Sequence, residues 1–228
     1  MSTPAVDRRP RRPFLALPGV YAPQSDTALL RAALYREQLS PGAQVLDVCT
    51  GTGALALAAA RLGACVTAVD VSRLAVANAR LNARLAGLPV RVRHGDLLAP
   101  AADRTYDLIL NNPPYVPSSR PDLPARGKAR AWDAGLDGRL VLDRMCREAP
   151  ALLSPGGVLL MVHSALSDPE RTLRTLREAG LKASTVERAF VGFGPVLRGR
   201  REYLRARGLV APDENEEELV VVRAERTP

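Results

Sequence analysis

The sequence predicts an α/β protein built on a mostly parallel seven-stranded sheet, with helices on both faces and an antiparallel hairpin at one edge. Three observations carry that prediction. Short apolar runs such as Gln44-Val45-Leu46-Asp47-Val48 and Tyr106-Asp107-Leu108-Ile109-Leu110 alternate with helical patterns through most of the chain, the rhythm of parallel strands joined by crossover helices. Gly51-Thr52-Gly53 falls between the first strand and a helix, where backbone can approach a ligand closely. The strand at 106–110 stops at Asn111-Asn112-Pro113-Pro114-Tyr115, because proline has no N–H to give to a ladder.

Residues 1–18 are rich in proline and arginine and lack periodicity, so a flexible basic tail is expected there. Residues 19–228 then form a single domain, long enough to bury one sizeable core. Ser25 or Asp26 is expected to cap a helix whose apolar face runs through Leu29, Leu30, Ala33 and Leu34. Ser40-Pro41-Gly42 turns the chain into the first strand, and an alanine-rich helix from Ala54 to Leu62 follows the glycine turn. Cys65 to Val69 is the second strand and ends at Asp70. Ser72 caps the next helix, with Leu74, Leu81 and Leu85 on its expected buried face and Arg73, Arg80 and Arg84 exposed beside them. Val90 to Arg93 alternates with period two, as a half-buried edge strand does, and leads to Asp96-Leu97.

Beyond the prolines, residues 116–130 form a polar loop longer than a simple connection needs. Trp132 to Gly138 leads into a helix ending near Leu153, and Ser154-Pro155-Gly156-Gly157 turns into the strand Val158 to Val162. Ser167-Asp168-Pro169-Glu170 opens a further helix with a capping pattern, and Gly180 ends it. The strand-like segments Ala183 to Phe190 and Glu218 to Ala224 show no helix-crossover rhythm and predict the edge hairpin. Between them, Leu197 to Leu209 carries Arg198, Arg200, Arg201, Arg205 and Arg207, which reads either as a solvated helix face or as a patch for phosphates.

The formal net charge of +8 points to acidic partners such as nucleic acid or ribosomes and is silent about fold. Cys49, Cys65 and Cys146 form no C-x-x-C and no ligand-like spacing with His94 or His163, so no metal site is expected and the compartment reads as reducing and cytoplasmic. No apolar stretch approaches the roughly 18 residues of a membrane span. The arginines near Met1 precede no apolar segment of the kind a secretory signal carries.

The glycine turn is a cofactor signal. Asp70 stands near the ~20-residue distance at which an acid meets ribose hydroxyls, and Gly51-x-Gly53-x-x-Ala56 also satisfies the dinucleotide pattern, so NAD has to be weighed. Three features favour S-adenosylmethionine, with S-adenosylhomocysteine as product. Asp47 on the first strand could hold the ligand's amino-acid end; Asp96-Leu97 suits an adenine amino group and ring; and Asn112-Pro113-Pro114-Tyr115 closes the fourth strand beside the expected sulfonium. There the Asn112 carboxamide oxygen and the Pro113 carbonyl are two acceptors about one NH₂ apart, able to orient a planar amino group whose lone pair is otherwise delocalised. Tyr115 would stack on that group, and Trp132 with Gly135 and Gly138 would shape the substrate mouth. No general base is required; His94 and His163 read as structural.

Four segments together resemble a known family: Val20-Tyr21-x-Pro23-x-x-Asp26-Thr27-x-Leu29-Leu30, Asp47-Val48-x-Thr50-Gly51-Thr52-Gly53, Asn112-Pro113-Pro114-Tyr115 and Ala131-Trp132-x-x-Gly135-x-x-Gly138-Arg139. The chain is similar to the class I, Rossmann-like methyltransferases of HemK/PrmC type, and most to the short branch without an N-terminal helical domain. That resemblance implies a cofactor pocket lined by Tyr21, Thr27, Asp47, Cys49, Gly51, Gly53, Asp70, Asp96, Leu97 and Asn112, with Asn112, Pro113, Pro114, Tyr115 and Trp132 on the substrate. Cys49 departs from the family's usual glycine, and the 197–209 segment looks longer than the branch's own. The implied reaction is methylation of a glutamine N5, most plausibly in the Gly-Gly-Gln of a peptide-chain release factor. An N6-adenine methyltransferase acting on RNA or DNA is the alternative, and a non-catalytic binding protein the third. No membrane partner is implied. Some relatives use a small activator subunit, a matter the sequence leaves open.

Overall fold

The protein is described here as a computed structural model covering residues 14–227. Seven strands form one sheet in the order β3-β2-β1-β4-β5-β7-β6. In chain order they are β1 (Gln44–Val48), β2 (Cys65–Asp70), β3 (Val90–His94), β4 (Tyr106–Asn111), β5 (Leu153–Ser164), β6 (Leu181–Gly192) and β7 (Glu216–Arg226). The first five are parallel, and β7 lies antiparallel between β5 and β6. The predicted edge hairpin is therefore present, with its later strand on the inside.

Period-two alternation splits each central strand between two cores. Val45, Leu108, Leu110, Leu160 and Val162 face α1 (Ser25–Leu34), α2 (Ala54–Arg61) and α3 (Arg73–Ala86). Leu46, Val48, Ile109, Leu159 and Met161 face α4 (Leu140–Glu148) and α5 (Pro169–Glu178), together with two short helices, α6 (Pro195–Gly199) and α7 (Arg201–Ala206). Leu108, Ile109 and Leu110 of β4 are at most 1% exposed, each contributing roughly 1.5–3 kcal/mol through burial.

Several elements differ from the expected pattern for physical reasons. On α3, Leu74 and Leu81 are 42% and 36% exposed, while Ala75, Val76, Asn78, Ala79, Asn82 and Ala83 are buried. Small residues are needed there because α3 packs tightly on the start of α2: a Cβ on Gly53 would lie 3.2 Å from that of Ala79. Asn78 and Asn82 face inward because they serve backbone groups, accepting from the amides of Leu17 and Leu15 and donating to the Leu15 carbonyl. Leu15 and Leu17, within the tail expected over residues 1–18, are thus attached to α3; residues 1–13 of that tail lie outside the described residues. Neither Ser25 nor Asp26 caps α1, whose N-cap position is Gln24. After α4 a 3₁₀ turn (Ala149–Leu152) intervenes, and β5 starts at Leu153. Ser72 and Asp168 do cap α3 and α5, accepting from the amides of Ala75 and Arg171. Among the described residues no helix is long and apolar enough to cross a membrane.

Candidate active site

The sheet reverses its winding direction at β1, which has β2 on one side and β4 on the other; such a switch point opens a crevice at the strands' C-terminal ends. The two strand ends are stitched there by Asn111, whose Nδ2 donates to the Val48 carbonyl at 3.1 Å. The turn after β1 needs left-handed backbone at Cys49 (φ 62°), Gly51 (φ 54°) and Gly53 (φ 83°). Glycine adopts that conformation without penalty, whereas Cys49 carries a Cβ into it at a cost of about 1–2 kcal/mol. Asp70 closes the turn by accepting from Gly51 N and Ser72 N, both at 2.8 Å. Burial raises the Asp70 pKa, opposed by those amides. Burial also raises the Cys49 thiol well above its ordinary value, with Asp70 and Asp47 adding to it, so this cysteine stays protonated and is no nucleophile.

Asn112 is positioned by a short relay from α1. Its Nδ2 donates to Thr27 Oγ1 at 3.3 Å, and Thr27 Oγ1 donates to Asp26 Oδ1 at 3.1 Å. The amide nitrogen is thereby occupied, and the oxygen is the end left to accept. Asp26 is 3% exposed, and its other oxygen receives the hydroxyls of Tyr21 at 2.8 Å and Tyr115 at 3.3 Å. Burial first, and Asp26 second, raise the pKa of both tyrosines. Tyr115 is itself 9% exposed, which makes its ring a fixed wall of the site.

The backbone after Pro114 is gripped from the far side. A Cβ on Gly138 would sit 2.2 Å from the Tyr115 carbonyl oxygen, and Ser167 Oγ donates to that oxygen at 2.7 Å. Arg139, 2% exposed, ties α4 to α5 through Asp143, the carbonyls of Ser167 and Asp168, and Thr172. Gly138 and Ser167 therefore hold the Pro-Pro-Tyr backbone in place, and Arg139 anchors Ser167 in turn. The long loop is ordered at its base, where Val116 N donates to Trp132 O at 2.7 Å and Ser118 N to Gly135 O at 2.8 Å.

A cavity of about 1130 Å³ opens between these parts, larger than the ~300–1,000 Å³ usual for one ligand. Tyr21, Thr27, Cys49, Gly51, Asp70, Asp96, Asn112, Pro113, Pro114, Tyr115 and Trp132 all line it. Asp47, Gly53 and Leu97 stand outside the lining. Asp47 is turned into the domain, where Oδ2 accepts from Thr50 Oγ1 at 2.5 Å and from Ala56 N at 3.0 Å. Burial raises its pKa to about 7, against those two hydrogen bonds. Gly53 answers the contact with Ala79, and Leu97 is buried in the core behind the site. Asp96 reaches the cavity with its carboxylate gripped by Arg144, at 2.8 and 3.2 Å. His94 also lines the cavity, whereas His163 is fully buried in the core and its pKa falls to about 4 through burial.

The lining also includes Asp26, Glu217 and the stretch Gly194–Leu197, which the sequence does not mark as site residues. Asp26 was visible in the motif but has the look of a helix cap. Glu217 lies in an acidic run, Glu214 to Glu218, with nothing to single it out. The segment at 197–209 folds as α6 and α7 and is clasped to the long loop: Arg200 pairs with buried Asp133 and donates to the Pro117 carbonyl at 3.0 Å, and Tyr203 Oη donates to Ser118 O at 2.6 Å. Arg198 donates to Phe193 O at 2.7 Å. Two of the five arginines thus hold a cavity wall.

Residues 11–124 match the family description "Methyltransferase small domain". A protein of Methanocaldococcus jannaschii named for protein N5-glutamine methylation is 34% identical over 79% of this chain and 90% of its own. The chain belongs to this methyltransferase family. The release factor glutamine methyltransferase of Bordetella pertussis is 39% identical over 82% of this chain and 72% of its own. Some further bacterial relatives are longer, and the chain spans less than two thirds of them. Among solved structures, the Mtq2–Trm112 complex of E. cuniculi, described as responsible for methylating the termination factor eRF1, contains a chain of the same fold with TM-score 0.65 and 23% identity, covering 92% of this chain and 99% of that one.

Proposed function

We propose that the protein transfers a methyl group from S-adenosylmethionine to the N5 of a glutamine side chain in a protein, the Gly-Gly-Gln of a peptide-chain release factor. The observation that carries this reading is Asn112: proline-flanked and tied at its nitrogen to Thr27, it offers a fixed carboxamide oxygen to an incoming NH₂. The relatives named for glutamine methylation support the choice of amide.

The lining fits the cofactor. Asp26, Asp70 and Asp96 line the cavity, a set of acceptors that suits a cationic ligand bearing ribose hydroxyls and disfavours a pyrophosphate. The amide of Ala56 in the first turn of α2, where a dinucleotide phosphate would dock, is already taken by Asp47. NAD is thereby disfavoured on the chemistry of the site. In this reading Tyr21, Thr27, Cys49, Gly51, Asp70, Asp96 and Asn112 hold S-adenosylmethionine, and Asp47, Gly53 and Leu97 support them from behind. When bound, the cofactor supplies an electrophilic methyl on positively charged sulfur.

The chain's own contribution is orientation. Asn112 and the Pro113 carbonyl accept the two hydrogens of the target amide, which aims the nitrogen and favours the positive charge it develops. The fixed wall at Tyr115 and Trp132 excludes water and restrains the amide plane. Such positioning supplies several kcal/mol, on the order of 7–11 where alignment is ideal. This reading carries the cytoplasm with it, where release factors act.

Methyl-labelled S-adenosylmethionine incubated with purified release factor or with total RNA tests the proposal. Label is expected in the glutamine. Label in RNA alone would replace this reading by the amino-purine one, since a planar NH₂ meets the same acceptors.

A further inference from the structure

One carboxyl in the cavity has no part in the reaction as described so far. Glu217 lies near the start of β7, paired across the hairpin with Val191, and lines the same cavity as Asn112, Pro113 and Tyr115. Its Oε2 is buried and accepts from no protein donor. The groups that face it are Asp26 of α1, Tyr21 ahead of α1, Tyr115 after β4 and Ser164 at the end of β5. Tyr21 and Tyr115 both commit their protons to Asp26, so neither hydroxyl is free to donate to a ligand. Arg188 of β6 pairs with Glu218, the neighbour that points to the opposite side of the strand.

A primary carboxamide brings a carbonyl oxygen as well as two N–H groups. Asn112 and Pro113 supply acceptors for the NH₂, and burying the carbonyl without a donor would cost binding energy. We propose that Glu217 is a substrate-binding residue whose neutral carboxyl donates to the carbonyl oxygen of the substrate's amide. This inference rests on the carboxamide reading of the substrate. Burial, with Asp26 adding to it and Ser164 opposing, holds the Glu217 carboxyl at about 7, so the donor is present in slightly acid solution and is lost as the pH rises.

The test uses the full chain, S-adenosylmethionine and a purified release factor, with kcat and KM measured from about pH 6 to about pH 9. In the parent enzyme KM for the release factor is expected to climb above about pH 7 as the proton leaves Glu217. Glu217→Ala is expected to raise KM at least about tenfold near neutral pH, with cofactor affinity by calorimetry as the folding control. Glu217→Gln, which donates at every pH, should recover most of that loss and flatten the profile. Equal KM in Glu217→Ala and the parent overturns the inference, as does a Gln variant no better than the Ala variant. The latter result would mean that the ionised carboxylate is what binds. If the parent labels no glutamine at all, the carboxamide reading fails first and the inference falls with it.

Discussion

At Asn112 two local effects converge: a proline on its C-terminal side restricts the backbone, and Thr27 Oγ1 takes one amide hydrogen. Replacing Asn112 with Ala removes the acceptor and leaves the fold intact. Transfer is expected to fall by roughly 10²–10³ in kcat, while calorimetry still detects cofactor binding; full activity would refute the role. Cys49 makes the opposite case. Its φ of 62° is strained for any side chain, so Cys49→Gly should keep activity and raise stability by up to about 1 kcal/mol, after the entropy of the added glycine is subtracted. A urea midpoint that drops in this variant would contradict that account. Asn112 was readable because proline acts on its immediate neighbour. Asp26 was misread as a cap because its true partners, Tyr21 and Tyr115, meet it only in the folded chain.

Elements lock one another around this residue. Trp132, Gly135 and Gly138 read in sequence as a substrate mouth, and the stretch they lie in also clamps the fold: Gly138 abuts the Tyr115 carbonyl, and the following Arg139 bridges α4 to α5. Gly138→Ala would place a Cβ at 2.2 Å from that carbonyl oxygen in a left-handed turn. A loss of at least about 2 kcal/mol is expected, from overpacking and backbone strain together, with kcat reduced as the Pro-Pro-Tyr backbone shifts. Thermal melts and kinetics on the same preparation would check both. The α6–α7 segment depends on a different clasp. Arg200→Ala leaves Asp133, 4% exposed, without its cation, and should cost about 1–3 kcal/mol and raise KM for the substrate more than it lowers kcat. Unchanged KM would show that this wall does not contact the substrate.

Across the whole molecule, burial of acids sets how stability responds to pH. Asp47 moves from an ordinary 3.8 to about 7, and Glu217 from 4.5 to about 7. A carboxyl whose pKa is raised by folding favours the folded state in its neutral form. That contribution is complete below the ordinary carboxylate range and is lost as pH rises through about 7. Without ligand, the protein should therefore be less stable at about pH 8 than at about pH 5, with Asp47 accounting for on the order of 3 kcal/mol at most over that window. Urea titrations at the two pH values would measure it, and Asp47→Asn should remove much of the difference. A stability that rises over that window would mean Asp47 is ionised in the folded chain.

By itself the sequence determined the strand–helix alternation, the glycine turn at Gly51 and the Asn112-to-Tyr115 stop, because periodicity, glycine φ and proline's missing N–H act over a few residues. It also singled out eleven of the residues that line the cavity. Only the tertiary structure decided that Asp47 turns inward to Thr50 and Ala56, that α3 buries alanines and asparagines in place of its leucines, and that Glu217 and the Gly194–Leu197 wall reach the site. Those outcomes depend on which groups compete for a donor or a gap once distant segments meet, and pairings between residues as far apart as Tyr115 and Asp26 leave no local trace in the chain.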